Sequence, residues 1–196
     1  MPKTQIVIFT DLDGTLLEHD SYSFDPASEA LDLIRRNKIP LIICTSKTRK
    51  EIEAYIKKLG LLEPFISENG GGIFIPKDYF GFDFQHDKEE DVYKVIRLGA
   101  DYKELVKAIE DIRSSGIEIR AFSDMSAREI KDDCGLDIES ERLAKMREFD
   151  EVFGIDPSDE KRVYDMNEKK GFNHTKGGRY YHIMGSSDKG RAVKIL

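Results

Sequence analysis

The chain contains few of the features that mark secreted or membrane proteins. It has only two cysteines, Cys44 and Cys134, which lie far apart and show neither metal-ligand nor redox spacing. No run approaches the ~18 apolar residues of a membrane span, and the N-terminus carries no signal-peptide core. We therefore expect a cytoplasmic globular protein that needs no disulfide and has no membrane partner.

The chain also lacks an excess of positive charge. Lysine and arginine number 31 against 38 aspartate and glutamate residues, which gives a net charge of −7. Nucleic acids bind basic stripes, so this balance argues against nucleic acid as a partner. A small anionic substrate remains compatible with it, because one local cluster of cations can hold such a molecule. The composition gives no indication of oligomeric state.

The first 80 residues alternate short apolar runs with helical patterns. The runs are β-branched and aromatic, which is typical of strands buried on both faces, and they cover residues 5–10, 39–44, 65–66 and 73–75. Apolar residues recur at helical spacing over residues 25–38 and 48–59, with Gly60 as the expected C-cap. This order predicts an α/β fold with a Rossmann-like parallel-sheet core. Reactive groups in such sheets lie at the carboxyl ends of the strands.

The pattern changes after residue 82 and becomes typical of an antiparallel α+β unit. The predicted strands cover residues 92–98, 117–122, 148–155 and, as a pair, 172–184. The predicted helices cover residues 101–114, 127–145 and 157–170, and a last helix begins at residue 188. We expect a core domain made of residues 1–82 and 184–196, with an inserted cap domain of residues 83–183.

Two carboxylates follow the first predicted strand. Asp11 and Asp13 stand where the strand gives way to a loop, so both side chains can reach one point above the sheet. A carboxylate there can bind Mg²⁺ through oxygen, or attack phosphorus to form an acyl phosphate. The second carboxyl can then act as general acid and base. The alternative is that both residues only shape the turn that Gly14 permits.

The segment Asp11-Leu12-Asp13-Gly14-Thr15 resembles the first motif of the haloacid dehalogenase-type phosphohydrolases. Thr45, after the second long strand, resembles the hydroxyl of the second motif, and Lys189 resembles the lysine of the third. The resemblance implies that Asp11 is the nucleophile and Asp13 the proton donor, both binding Mg²⁺. It also implies that Thr45 binds a phosphoryl oxygen and that Lys189 neutralises Asp11 and the phosphate.

Longer segments are similar to one group within this superfamily. They cover residues 45–49, 66–70, 73–76, 147–151 and 184–190, and they resemble the phosphatases that convert mannosyl-3-phosphoglycerate to mannosylglycerate. The expected substrate is therefore a small phosphosugar. Three alternatives remain open: a broader sugar-phosphate phosphatase, a glucosyl-3-phosphoglycerate phosphatase, and a catalytically inert phosphosugar-binding relative.

Seven polar residues are candidates for binding the sugar and the glycerate: Lys47, Arg49, Glu68, Asn69, Arg179, Ser187 and Asp188. The two basic residues at 47 and 49 open a predicted helix, where cations are unfavourable unless an anion is near; solvated surface cations are the alternative. Glu68 and Asn69 precede three glycines, which fits either a ligand loop or a hairpin turn. Arg179 can clamp a carboxylate bidentately.

The family's fourth motif is missing from the sequence. It is a Gly-Asp pair that supplies a further Mg²⁺ carboxylate after the next strand, and the sequence reaches only seven residues past Lys189. Two explanations compete, a longer natural protein whose C-terminal part is absent here and a relative with a weakened metal site. We expect the first, because ending at residues 192–196 would leave apolar surface uncovered.

Overall fold

The apolar runs of the first half form one six-stranded sheet. In the computed structural model, which describes residues 6–18, 22–126, 128–130, 138–177 and 180–196, the strands lie in the order β1-β2-β3-β4-β6-β5. Their bounds are β1 Ile8–Thr10, β2 Leu41–Cys44, β3 Phe65–Ser67, β4 Gly72–Pro76, β5 Lys88–Glu90 and β6 Tyr93–Arg97. The predicted α/β class is confirmed.

Only the first three strands of this sheet are parallel. β1, β2 and β3 pair in parallel, whereas β4 runs antiparallel to β3, and β6 runs antiparallel to both of its neighbours. The expectation of a wholly parallel sheet is therefore wrong beyond β3. A parallel neighbour needs a crossover of a dozen or more residues, and only residues 68–71 connect β3 to β4.

Helices cross between the parallel strands. α1 (Ser28–Arg36) joins β1 to β2, and α2 (Arg49–Leu59) joins β2 to β3. Thr48 caps α2: its hydroxyl accepts the Glu51 amide, and the Glu51 carboxylate accepts the Thr48 amide. Gly60 ends the helix with φ 64°, as predicted. The cap fixes the loop after β2, where Thr45 lies.

The second half forms an antiparallel sheet of four strands in the order β7-β8-β10-β9. The strands are β7 Arg120–Ala121, β8 Asp150–Gly154, β9 Asn173–Gly177 and β10 Tyr180–Met184, all inside predicted segments. The helices are α3 Tyr102–Ser114, α4 Ile138–Ala144, α5 Glu160–Lys169 and α6 Lys189–Ile195. Apolar residues of α3 and α5 pack on Phe153, Tyr181 and Ile183, so one face of this sheet is covered by helices.

The predicted boundary at residue 82 falls before two strands of the first sheet. β5 and β6 lie beyond it, yet both are hydrogen bonded into that sheet. Their charged and mixed composition hides this pairing in the sequence. The division into a core and a cap domain stays a prediction.

The other face of the second sheet is mixed, with an apolar cluster around Val152 and a group of polar side chains beside it. His182 lies opposite Thr175, and Met184 lies opposite both Asn173 and Asp150. Residues opposite one another share a face, as do residues two apart along a strand. Asp150, Asn173, Thr175 and His182 therefore lie on one face, and Asp150 reaches the loop after β3.

The segments that connect the two sheets pass very close to each other. A Cβ atom added at Gly185 would lie 2.5 Å from the backbone nitrogen of Ala100, and one at Gly99 would lie 2.8 Å from the Cβ of Phe149. No side chain fits at either glycine without displacing the neighbouring atoms. Within the described ranges, no helix combines the length and the apolar character that crossing a membrane requires.

Candidate active site

Asp11 lies at the carboxyl end of β1, as predicted, and is held from several sides. Its Oδ2 accepts a hydrogen bond of 2.5 Å from Lys189 Nζ, and its Oδ1 accepts one of 2.7 Å from the Leu12 amide. The hydroxyl of Thr45, a fully buried residue, is a further partner. Motif residues from the ends of β1 and β2 and the start of α6 thus meet at one carboxylate.

The environment keeps Asp11 ionised. Burial acts to raise the pKa of Asp11, but the hydrogen bonds from Lys189, Thr45 and the Leu12 amide outweigh it, and the pKa lies below its ordinary value. Both side chains of the Asp11–Lys189 pair stay partly open to solvent, at 37% and 35% exposure. An ionised carboxylate that solvent can reach is what a nucleophile requires.

Asp13 is paired with a different lysine. Lys47 Nζ lies 3.0 Å from Asp13 Oδ1 and 3.6 Å from Glu51 Oε1, with its side chain only 10% exposed. Burial would lower the pKa of Lys47, but Glu51 and Asp13 raise it overall, so the lysine stays charged. The structure therefore brings Lys47 to the site as predicted, although its contact there is an acid of the motif.

A cavity of about 480 Å³ opens beside Lys189. It is lined by Asn69, Glu168, Asn173, His174, Thr175, Met184, Ser187, Asp188 and Lys189. Three predicted binding residues, Asn69, Ser187 and Asp188, are among them. Ser187 is fully buried, and its hydroxyl has no hydrogen-bond partner among the residues that the structure describes, so it is available to a ligand.

Arg49, a predicted substrate-binding residue, is occupied elsewhere. Its guanidinium donates to Glu53 and Glu90 at 2.7 Å each and also to Asp91. The side chain is 1% exposed, and none of these acids lines the cavity. The negative charge that offsets this cation at the start of α2 therefore comes from these three acidic side chains. A contact of Arg49 with substrate stays a prediction that this geometry does not favour.

Glu68 is also turned away from solvent. It is fully buried, and its Oε2 accepts the backbone amides of Glu148, Phe149 and Asp150 at 3.0, 2.7 and 2.9 Å. Burial and the neighbouring Asp150 carboxylate raise the pKa of Glu68, against the opposing effect of Arg147. These contacts anchor the start of β8. The contact of Glu68 with substrate stays a prediction.

Sequence reasoning missed the residues that accompany Glu68. We call Glu68, Arg147, Asp150 and His182 the buried cluster. Arg147 donates to Asp150, whose Oδ2 accepts from His182 Nδ1 at 3.0 Å. A histidine inside the apolar run of β10 was the available signal, because a polar side chain there needs a buried partner. Arg179, the remaining binding candidate, lies outside the described residues, as does Cys134.

The donor atoms at Asp11 and Asp13 suit Mg²⁺. Mg²⁺ prefers oxygen and is commonly held by one or two carboxylates while it keeps several waters. The Asp11 carboxylate and the Asp13 backbone carbonyl offer such oxygens at the end of β1. Among the residues that the structure describes, there is no group of three or more histidine, cysteine or acidic side chains able to hold a metal.

Comparison with known proteins agrees with this arrangement. The chain is 50% identical over 193 residues to a glucosyl-3-phosphoglycerate/mannosyl-3-phosphoglycerate phosphatase of Methanococcoides burtonii, covering 97% of this chain and 71% of that protein. It is 35% identical over 192 residues to a mannosyl-3-phosphoglycerate phosphatase of Pyrococcus furiosus, covering 97% and 76%. A haloacid dehalogenase-like hydrolase from B. subtilis shares the fold, with a TM-score of 0.63, 18% identity, and coverage of 97% and 77%.

The family assignment rests on the segment that carries the first two motifs. Residues 8–97, which include Asp11 and Thr45, match the family described as haloacid dehalogenase-like hydrolase. The resemblance found in the motifs is thereby confirmed. The chain is also 50% identical to the Methanococcoides burtonii relative over 97% of its own length. The chain therefore belongs to the haloacid dehalogenase-like hydrolases.

Proposed function

We propose that the protein is a Mg²⁺-dependent phosphatase that hydrolyses mannosyl-3-phosphoglycerate to mannosylglycerate and inorganic phosphate. The names of the Methanococcoides burtonii and Pyrococcus furiosus relatives support this substrate. The buried free thiol of Cys44 fits a reducing compartment, in keeping with the cytoplasm. A catalytically inert phosphosugar-binding relative with the same fold is the competing hypothesis.

One observation carries the proposal. The ionised Asp11 carboxylate lies 2.5 Å from Lys189 Nζ, and Lys189 also lines the cavity. A phosphate bound beside Lys189 would meet the cation and, next to it, the Asp11 carboxylate. A binding module has no need of an ionised, partly exposed carboxylate facing a dianionic ligand, because that contact is repulsive.

The first step transfers the phosphoryl group to the protein. An oxygen of Asp11 attacks phosphorus, and the bond from phosphorus to the glycerate oxygen breaks. Asp13 donates a proton to that oxygen, and Lys47 then stabilises the Asp13 carboxylate that remains. Asp11 and Asp13 would hold Mg²⁺ through oxygen, and the ion would supply positive charge to offset the repulsion between the two anions.

The second step frees the enzyme. Water attacks phosphorus of the acyl phosphate while Asp13 takes its proton, and the bond from phosphorus to Asp11 breaks. Inorganic phosphate leaves, and Asp11 returns to its contact with Lys189. Thr45 and Lys189 remain on the phosphoryl oxygens throughout, where they stabilise the charge that grows in each transition state.

Glucosyl-3-phosphoglycerate is a second candidate substrate. The Methanococcoides burtonii relative is named for both sugars. The ratio of kcat/KM for the two glycosyl-3-phosphoglycerates measures this preference, and mannose 6-phosphate serves as the comparison. Equal kcat/KM for all three would identify a broad sugar-phosphate phosphatase and overturn the narrow assignment.

Asp11→Asn tests the nucleophile. The amide cannot attack phosphorus, so kcat should fall by about 10⁴-fold or more, while the thermal midpoint changes little. Asp32→Asn on the exposed face of α1 is the matched control and should leave kcat unchanged. Turnover by Asp11→Asn near the wild-type rate refutes the mechanism.

Removing divalent ions with a chelator should abolish turnover, and Mg²⁺ should restore it.

A further inference from the structure

The buried cluster touches no reacting atom, yet it contacts both loops that carry the site. Arg147 donates to the carbonyl oxygen of Ser46 at 2.8 Å as well as to Asp150. Asp150 Oδ2 accepts the Asn69 side-chain amide at 3.1 Å. Ser46 lies between Thr45 and Lys47 in the loop after β2, and Asn69 lies in the loop after β3. One ion pair of the second sheet thus holds both loops.

The contact with Asp150 also decides which way the Asn69 amide faces. A carboxylate is only an acceptor, so Asn69 must present its Nδ2 to Asp150. Asn69 lines the cavity, and its amide oxygen is the atom that remains for a ligand. An amide oxygen accepts a hydrogen bond, which suits a hydroxyl group.

The backbone around Asn69 is equally constrained. Asn69 has φ 56°, a left-handed conformation. Its backbone N–H donates to the Thr45 carbonyl oxygen at 3.1 Å. The two loops are therefore tied to each other as well as to the ion pair. A shift of Asp150 would move Asn69 and, through the shared hydrogen bond, the loop of Thr45.

Burial shows that this ion pair is costly to hold. The Arg147 side chain is 4% exposed and Asp150 is fully buried. Apolar residues of similar volume often replace such a pair without loss of stability, so stability alone is a weak reason for it. Directed hydrogen bonds to two functional loops are something that apolar residues cannot supply.

We propose that Arg147 and Asp150 are positioning residues, which fix Asn69 so that its amide oxygen accepts a hydroxyl of the substrate's leaving group. The inference rests on the proposed function for the identity of that substrate. Arg147 sets the loop of Ser46, and Asp150 sets the orientation of Asn69. Neither residue contacts substrate.

A double-mutant cycle tests the coupling. Asp150→Asn and Asn69→Ala should each lower kcat/KM for the glycosyl-3-phosphoglycerate by about 2- to 10-fold, chiefly through KM, as expected for one lost hydrogen bond between neutral groups. The double variant should be no worse than either single variant, because Asp150 acts through Asn69. Losses that multiply in the double variant would overturn the proposal.

Glu151→Gln is the matched control. Glu151 is the next residue of β8 and is also fully buried, but its oxygens accept from Tyr102 Oη at 2.5 Å and the Ser123 amide at 2.8 Å, on the opposite face. Its substitution should leave KM unchanged even if stability falls. A KM rise equal to that of Asp150→Asn would show a merely structural effect and overturn the proposal.

A second variant and a second readout protect the test. Arg147→Lys keeps the charge but cannot span Asp150 and the Ser46 carbonyl together, so it should also raise KM. Hydrogen exchange at residues 45–48 and 67–70 should quicken in Asp150→Asn and not in Glu151→Gln. Hydrogen exchange is measured without turnover, so the two proposals fail separately. An inactive wild type refutes the proposed phosphatase activity, whereas unchanged exchange in Asp150→Asn refutes the proposed positioning role.

Discussion

Two ion pairs in this molecule differ in the length of chain they span and in their exposure to solvent. The Asp11–Lys189 pair spans 178 residues and lies open to solvent, with exposures of 37% and 35%. The Arg147–Asp150 pair lies in the buried cluster, with exposures of 4% and 0%. Water screens the first pair, so its charges are free to respond to a ligand. The second pair has no such freedom and serves to hold geometry.

The difference teaches how charge is divided between chemistry and architecture. An exposed pair adds little to stability, but its cation can move from the carboxylate to an incoming phosphate. A buried pair costs desolvation and resists rearrangement, because either partner alone would be left uncompensated. In this protein the exposed Asp11–Lys189 pair can respond to a ligand, while the buried Arg147–Asp150 pair holds the neighbouring loops in place.

Arg147→Met should produce the largest loss of stability. It removes the cation that lies between the buried carboxylates of Glu68 and Asp150, so the free energy of unfolding should fall by about 3–5 kcal/mol. Urea denaturation measures this change. Arg113→Met, at the exposed pair with Asp124, is the control and should cost about 0–1 kcal/mol. Similar losses in both variants would remove the distinction between buried and exposed pairs.

Lys189→Met should show the reverse pattern. Loss of the cation that faces the phosphoryl group should lower kcat/KM by about 10²- to 10³-fold, while stability changes by about 0–1 kcal/mol. Steady-state kinetics and urea denaturation measure the two effects. Lys194→Met is the control. Lys194 lies on the same helix α6 with its side chain exposed, so its substitution should leave kcat/KM at the wild-type value. A large loss of stability in Lys189→Met would contradict an open, responsive pair.

Acid titration should give the smallest effect, and its size distinguishes a buried acid from an exposed one. Burial would raise the pKa of Asp150, but Arg147 and His182 lower it overall. A lowered pKa means that the unfolded chain takes up a proton first, so this contribution to stability is present above about pH 4 and is lost as the pH falls further. The stability advantage of wild type over Asp150→Asn should therefore shrink below about pH 4.

The control for this titration is an exposed acid whose pKa is also lowered. Asp111 is paired with Lys170 at the surface, and Asp111→Asn should change the acid dependence only slightly and lose that effect in high salt. Urea midpoints measured from pH 6 to pH 3 decide between them. An unchanged gap between wild type and Asp150→Asn across that range would show that Asp150 does not titrate with folding.

The sequence predicts well where the motif residues lie, because strand ends determine their place. Asp11 follows β1, Thr45 follows β2, and Lys189 begins the helix after β10, so motif and topology both lead to one point. Lys47 and the cavity residues Asn69, Ser187 and Asp188 are placed near it for the same reason. Local pattern is sufficient where each residue acts from the end of its own element.

Local pattern fails where partners lie far apart in the chain. Glu68 and the amides it binds are 80 or more residues apart, and alternation in a strand does not reveal which loop its polar face will meet. The direction of β4 was missed for a different reason, since a short apolar run that is buried on both faces looks the same in a parallel and in an antiparallel strand. Separation along the chain also explains Arg49, whose partners Glu90 and Asp91 come from a distant strand and turn.

The glycines at 99 and 185 have a consequence for engineering the substrate range. Because main-chain atoms touch where the sheets are joined, their separation is set by the backbone and offers no place for a larger residue. A library built at these glycines should yield misfolded proteins rather than broader selectivity. Diversity is better directed to Asn173 and Thr175, which are exposed and line the cavity. The molecule thus separates the positions that keep its dimensions from those that are free to evolve.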